Sequence, residues 1–229
     1  MPDFTIGFVL FPNLTLLDLV GPLQILSRVP GTKTHVIAQS YDPVPSDCGL
    51  SQVPTATFAD SPALDMICVP GGYGVSQAIV NDELMSYVKR QSEGAQYVTS
   101  VCTGAFVLGV AGLLNGRRVT THWAYTHLLP LVGATFEKAR VVKDQNVFTG
   151  GGVTAGIDFG LRIAAELADP DVAQNIQLSV EYNPEPPFSA GSPDSAPAEI
   201  RDRSSAVYEK RTNQFRSELE SALGHSALR

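Results

Sequence analysis

The sequence predicts an α/β fold, a doubly wound, flavodoxin-like and largely parallel sheet flanked by helices, with a cysteine at a strand-to-helix elbow. Three observations predict it. Short β-rich apolar runs alternate with helical stretches from Phe4 to Leu167. The runs are apolar on both faces, as parallel strands covered by helices are. Several of them run directly into a turn and then a helix, at Phe11-Pro12-Asn13, Pro70-Gly71-Gly72 and Cys102-Thr103-Gly104. Such sheets bind ligands at the carboxyl ends of their strands, near the point where strand order reverses.

Phe4 to Leu10 reads as the first buried strand, and Pro22 suits the first turn of a helix running to about Arg28, because its missing N–H costs little there. Asp18 then precedes that helix, near the end of the strand. Thr34 to Ala38 is a second strand, and Leu50 to Phe58, with Pro54, reads as edge hairpin. Asp65 to Val69 is a third parallel strand, followed after the glycines by helix through Arg90. Gln96 to Val101 runs straight into Cys102 and the helical stretch Gly104 to Leu114. Arg118 to Thr121 is a short strand, Trp123 to Leu129 a helix stopped by Pro130, and Val141 to Thr149 a hairpin turning at Asp144-Gln145-Asn146. Gly150-Gly151-Gly152 leads into helix Thr154 to Leu167, and Asp169-Pro170-Asp171 opens another.

Five prolines between Pro184 and Pro197 make that stretch a loop or extended arm. Helical composition resumes near Ala198, where Ile200, Val207, Phe215, Leu219 and Leu223 recur at imperfect helical spacing. The expected organisation is an α/β domain over residues 1–183. Residues 184–229 form an arm and a helix that packs on the same domain or on a dimer partner.

A chain of 229 residues, 44% apolar and 17% charged, buries a core without staples. A net charge of -7 is the wrong sign for a nucleic-acid or anionic-membrane partner. The apolar run Ala105 to Leu114 is half of the ~20 residues a membrane helix requires. The N-terminal residues carry no leader pattern, which together with three scattered cysteines (Cys48, Cys68 and Cys102) predicts a reducing, cytoplasmic setting. No Cys-x-x-Cys or His-x-x-x-His pattern occurs, so no metal site is expected.

Cys102 is the strongest candidate for chemistry. A helix N-terminus aimed at the sulfur lowers a thiol pKa from ~8.5 toward ~3.5 to 7.5. Cys68, inside an apolar strand, reads as a small buried hydrophobe. Asp18 opens onto the same sheet edge, and Leu16, Leu17, Leu19 and Val20 around it would desolvate its carboxyl and leave a proton to donate. An acidic residue before a helix also reads as an ordinary cap. The N–H groups of Gly72 and Thr103 are placed to meet developing negative charge, and the Thr103 hydroxyl to meet substrate or water. Gly150-Gly151-Gly152-Val153-Thr154-Ala155 imitates a dinucleotide fingerprint, but no acidic residue ends a following strand. Close backbone approach at Gly151 explains the glycines better. The histidines that could serve as base are His35, His122, His127 and His225. His122 and Trp123 are expected to line the pocket.

Leu17-Asp18-Leu19 with Gly21-Pro22, Val69-Pro70-Gly71-Gly72, Ser100-Val101-Cys102-Thr103-Gly104 and Thr121-His122-Trp123 resemble the ThiJ/PfpI superfamily of class I glutamine amidotransferase-like folds, over nearly the whole chain. Within it, Tyr97 to Gly104, Thr120 to Tyr125, Thr149 to Gly152, and Pro186-Pro187-Phe188 with Ala190 to Asp194 resemble the isocyanide hydratases. That resemblance implies hydration of a small-molecule isocyanide to an N-substituted formamide, with no metal or organic cofactor, in a homodimer. It implies Cys102 as nucleophile forming a thioimidate, Asp18 as acidic partner and Thr103 as active-site neighbour, to which the reading of the residues themselves adds Gly72, Gly151, His122 and Trp123 as expected substrate contacts. Alternatives are a glyoxalase or deglycase, whose relatives carry glutamate where Asp18 stands, and a Cys102-based redox sensor or regulatory ligand-binding protein. Superfamily peptidases place histidine where Thr103 stands.

Overall fold

The apolar runs become strands because each buries both faces. β1 (Phe4–Val9) leads through α1 (Leu16–Leu26) to β2 (Thr32–Ala38), the two-residue strands β3 (Val44–Pro45), β4 (Ser51–Gln52) and β5 (Ala56–Thr57), and β6 (Met66–Val69). α2 (Val75–Ala78) and α3 (Asp82–Gly94) precede β7 (Tyr97–Val101), α4 (Gly104–Val110), β8 (Arg118–Val119), a 3₁₀ helix over Trp123–Val132 and β9 (Thr135–Phe136). β10 (Val141–Asp144), β11 (Val147–Gly150), α5 (Ala155–Leu167), α6 (Pro170–Ser179) and α7 (Ala198–Ser226) complete the order. This computed structural model describes residues 3–226, the last two as backbone alone. Met1, Pro2 and the His225 side chain, all considered above, lie outside the described residues.

The main sheet has seven strands in the order β10-β11-β7-β6-β1-β2-β5. Every pairing is parallel except the β10–β11 hairpin. The fold is therefore the α/β arrangement expected, with a mostly parallel sheet flanked by helices. β6 lies between β1 and β7, so the loops carrying Asp18, Gly71 and Cys102 leave three adjacent strands at one edge. That edge is the place where strand order reverses, β2 lying on one side of β1 and β6 on the other.

Several local expectations are corrected. α1 begins at Leu16, so Asp18 sits in its first turn and Pro22 lies inside it. Proline there forfeits a helical hydrogen bond. It is tolerated because its ring packs on α5, where a Cβ on Gly156 would stand 2.9 Å from Pro22 Cδ. The segment Leu50 to Phe58 divides, β4 pairing antiparallel with β3 while β5 joins the main sheet parallel to β2. The segment before Pro130 is a 3₁₀ helix that continues through the proline to a left-handed Gly133. The helix after Cys102 ends at Val110 rather than Leu114. In α7 the buried stripe is Phe215, Leu219 and Ala222, whereas Ile200 and Val207 are exposed. α7 packs on α2, α4 and the 3₁₀ helix, Phe215 meeting Phe106 edge-on at 5.1 Å.

Candidate active site

Cys102 occupies the corner between β7 and α4 with φ 56°, in the left-handed region that side chains with a Cβ rarely adopt. Its N–H donates to the carbonyls of Gly150 at 3.0 Å and Gly151 at 2.9 Å, and its own carbonyl accepts from Thr121 Oγ1 at 2.7 Å. Two neighbouring segments thus hold the corner, the glycine run that ends β11 supplying carbonyls and the Thr121 side chain a hydroxyl. A Cβ on Gly104 would stand 2.2 Å from the Val69 carbonyl, so the helix can follow the elbow this closely only with glycine there.

Asp18 is fully buried in α1. Its Oδ2 accepts from Gly71 N–H at 3.0 Å, while Oδ1 has no hydrogen-bond partner. Gly72, at φ 127°, donates its N–H to Thr103 Oγ1 at 3.0 Å. That bond corrects the expectation that the Gly72 N–H is free to meet substrate charge, and makes it a group that orients Thr103. Gly71 is the tighter position. A Cβ there would lie 2.6 Å from Thr103 N, 2.7 Å from Thr103 Oγ1 and 2.8 Å from Asp18 Oδ2. Gly71→Ala is expected to cost about 1–3 kcal/mol in stability through overpacking. It should lower turnover about 100-fold by displacing both side chains; urea melts and steady-state kinetics check the two effects.

Burial raises the Asp18 carboxyl to about 7 against the lowering effect of its hydrogen bonds, and the Asp47 charge adds to the rise. Burial also pushes the Cys102 thiol well above its ordinary range, and a negative Asp18 pushes it further. The Thr103 N–H and hydroxyl beside the sulfur pull the other way. The low thiol pKa expected from the helix end is therefore corrected, because desolvation outweighs the positive helix end. Two negative charges cannot coexist there, so the pair retains a proton at neutral pH. The resting sulfur is therefore a thiol, and a thiolate beside a neutral acid arises when the Cys102 proton passes to the Asp18 carboxylate.

The outer wall was not legible in the sequence. A cleft of about 210 Å³ opens beside Gly72 and Thr103, closed by Tyr73, Tyr125 and the α7 residues Arg211 and Phe215. Tyr125 and Tyr208, both shifted upward chiefly by burial, also feel the Cys102 charge. The Arg211 guanidinium lies 3.5 Å from the centre of the Tyr73 ring. Tyr208, Arg211 and Phe215 share one face of α7, a spacing of three and seven residues that carried the signal.

The remaining residues expected to contact substrate lie elsewhere. Gly151, His122 and Trp123 line a separate groove of about 660 Å³, bordered by Gly191 to Asp194 of the arm. Lys138 holds that border through Asp194 at 2.5 Å. The His122 Nδ1 accepts from Ala124 N–H at 3.3 Å and its ring packs on Tyr208 and Tyr125. Burial lowers its pKa to about 4, so the ring is neutral at pH 7 and supports the wall from behind. Among the described residues no cluster of three or more His, Cys, Asp or Glu could hold a metal ion, and no helix is long and apolar enough to cross a membrane.

A sheet-edge cysteine beside a buried acid is a recurrent arrangement, and the model of the family described as DJ-1/PfpI matches residues 5–166. The chain belongs to the DJ-1/PfpI family. This DJ-1/PfpI chain is 53% identical over 197 residues to the isonitrile hydratase of Pseudomonas putida, covering 86% of each sequence. The crystal structure of a ThiJ/PfpI family protein from Pseudomonas syringae superposes with a TM-score of 0.92 at 42% identity, covering 98% of this chain and 92% of that one. A transcriptional regulator of Pseudomonas aeruginosa, GbdR, is 30% identical over 169 residues, but the match spans only 45% of its length.

Proposed function

We propose that this DJ-1/PfpI protein is an isocyanide hydratase, converting R–N≡C and water to R–NH–CHO. The observation that carries the reading is the buried Cys102–Asp18 pair, which carries no more than one negative charge at neutral pH. The 53% identity to an isonitrile hydratase supports it. Cys102 is only 5% exposed. An isocyanide suits that burial, because its linear N≡C end is slim and exposes an electrophilic carbon that a soft thiolate attacks.

The Cys102 thiolate forms the S–C bond while the Asp18 proton passes to the same carbon, leaving a thioimidate, S–CH=N–R, and an Asp18 carboxylate. Water then adds to that carbon with the carboxylate as base. One water proton ends on nitrogen and the other returns to Asp18 as the C–S bond breaks, releasing the formamide and restoring the thiolate. The Thr103 N–H and hydroxyl stabilise sulfur when it carries charge. The reaction needs no metal or organic cofactor. Residues 1–183 supply the reacting pair and part of the outer wall, residues 184–229 the rest of that wall, and we expect a homodimer in a cytoplasmic setting.

The test is formamide formation from a chromogenic aryl isocyanide, followed by absorbance with purified protein. Turnover supports the reading. A folded protein that leaves the isocyanide untouched and instead consumes a dicarbonyl, or reacts with peroxide at Cys102, would move it to a glyoxalase or a redox sensor.

A further inference from the structure

The helix that carries Asp18 takes its N-terminal cap from a different carboxylate. Thr15, its N-cap residue, makes no capping hydrogen bond to the helix. The cap comes instead from the loop between β3 and β4. Asp47 Oδ1 accepts from Leu16 N–H at 3.2 Å, and Asp47 Oδ2 accepts from Thr15 Oγ1 at 2.8 Å. The backbone fixes this loop in place, Asp47 N donating to the Leu14 carbonyl at 2.9 Å and Asn13 N to the Pro45 carbonyl at 2.8 Å. The same stretch reaches the reacting groups, since Thr15 N–H donates to the Gly71 carbonyl at 2.9 Å and Leu14 bridges to Gly72.

A carboxylate in the first turn of a helix is ordinarily stabilised in its charged form by the positive helix end. Asp18 is in that first turn and is nevertheless the group that must carry a proton. We propose that Asp47 is a positioning residue for the proposed reaction: it takes the N-terminus of α1 and sets its own negative charge beside it, which keeps Asp18 protonated. Asp47 touches neither substrate nor sulfur and acts through Asp18. The titratable groups facing Asp18 are Cys102 from the elbow, Cys68 from β6 and Asp47 from this loop. Cys68 is neutral, its thiol pushed up to about 12 by burial, and Cys102 adds a charge only as thiolate, so Asp47 is the charge that does not come and go with the reaction. The sign follows from like charges, since a fixed anion near Asp18 disfavours a second one.

The inference rests on the reading of Asp18 as proton donor, so its test includes a measurement independent of turnover. The carboxyl carbon of Asp18 is followed by NMR across pH in protein labelled with 13C-aspartate, assigned by Asp18→Asn. Asp47→Asn keeps an acceptor for Leu16 and Thr15 but removes the charge. It is expected to lower the Asp18 midpoint by about 0.5 pH unit, the scale of a charge acting across part-solvated space. The pH midpoint of turnover near 7 should move by the same amount. Asp47→Glu should restore the midpoint, and Asp47→Ser, which caps without charge, should match Asp47→Asn if the latter folds poorly. A midpoint unchanged in both uncharged variants, with only the melting temperature lowered, would reduce Asp47 to a helix cap and overturn the proposal. A shifted midpoint in a protein with no isocyanide turnover would leave the coupling standing and sink the hydratase reading alone.

Discussion

Replacing Cys102 with alanine is expected to reduce isocyanide turnover by at least ~10⁴-fold, since removal of a nucleophile leaves only binding and the remaining polar groups. The fold should survive, because the corner is held by backbone bonds from Cys102 to Gly150, Gly151 and Thr121 rather than by the sulfur. A glycine at the same position separates chemistry from strain. With φ at 56°, Cys102→Gly removes the Cβ that opposes this backbone. It should unfold at higher denaturant than Cys102→Ala, by about 1 kcal/mol, while being equally inactive. Alanine or glycine variants that still form formamide would place the nucleophile elsewhere and end the thioimidate mechanism.

Asp18→Asn should have the second largest effect, lowering turnover about 10²- to 10⁴-fold, the usual contribution of a positioned acid. In the parent protein, turnover should rise as pH rises through about 7, where the pair loses the first of its two protons and the singly protonated form that supplies thiolate and neutral acid becomes available. The variant should lose that rise along with its rate. Stability follows the same titration. The folded Asp18 titrates at about 7 against 3.8 for the free group, so the folded state holds one more proton than the unfolded state between those values. Its contribution is complete below about pH 4 and is lost as pH rises to 7, with a slope approaching about 1.4 kcal/mol per pH unit. Urea denaturation at pH 5 and pH 8 should show this loss in the parent, and Asp18→Asn should flatten it. Equal slopes in both proteins would mean that Asp18 is ionised throughout and is no proton donor.

Composition and local pattern determined much of this protein. Apolar runs that need cover on both faces dictated a parallel sheet, and the turn residues after them located three loops at the carboxyl edge, including the Cys102 elbow. Helix stops and starts were harder to read, because Pro22 and Pro130 are tolerated where packing compensates for the lost bonds. Leu50 to Phe58 could not be read as two separate pairings, since strands of two residues carry no periodicity.

The tertiary structure alone decided how the site is closed and charged. Gly151, His122 and Trp123 looked like pocket residues because they neighbour the elbow, yet they face a different groove, while Arg211 and Phe215 arrive from a helix more than a hundred residues away in sequence. The raised Asp18 carboxyl was legible, because its leucine and valine neighbours predicted the desolvation, but the Cys102 thiol was not. A helix end lowers a thiol pKa and a first-turn position lowers a carboxyl's, but both rules assume access to water. Burial of Cys102 beside Asp18 reverses them, and burial depends on contacts between segments that no local window contains.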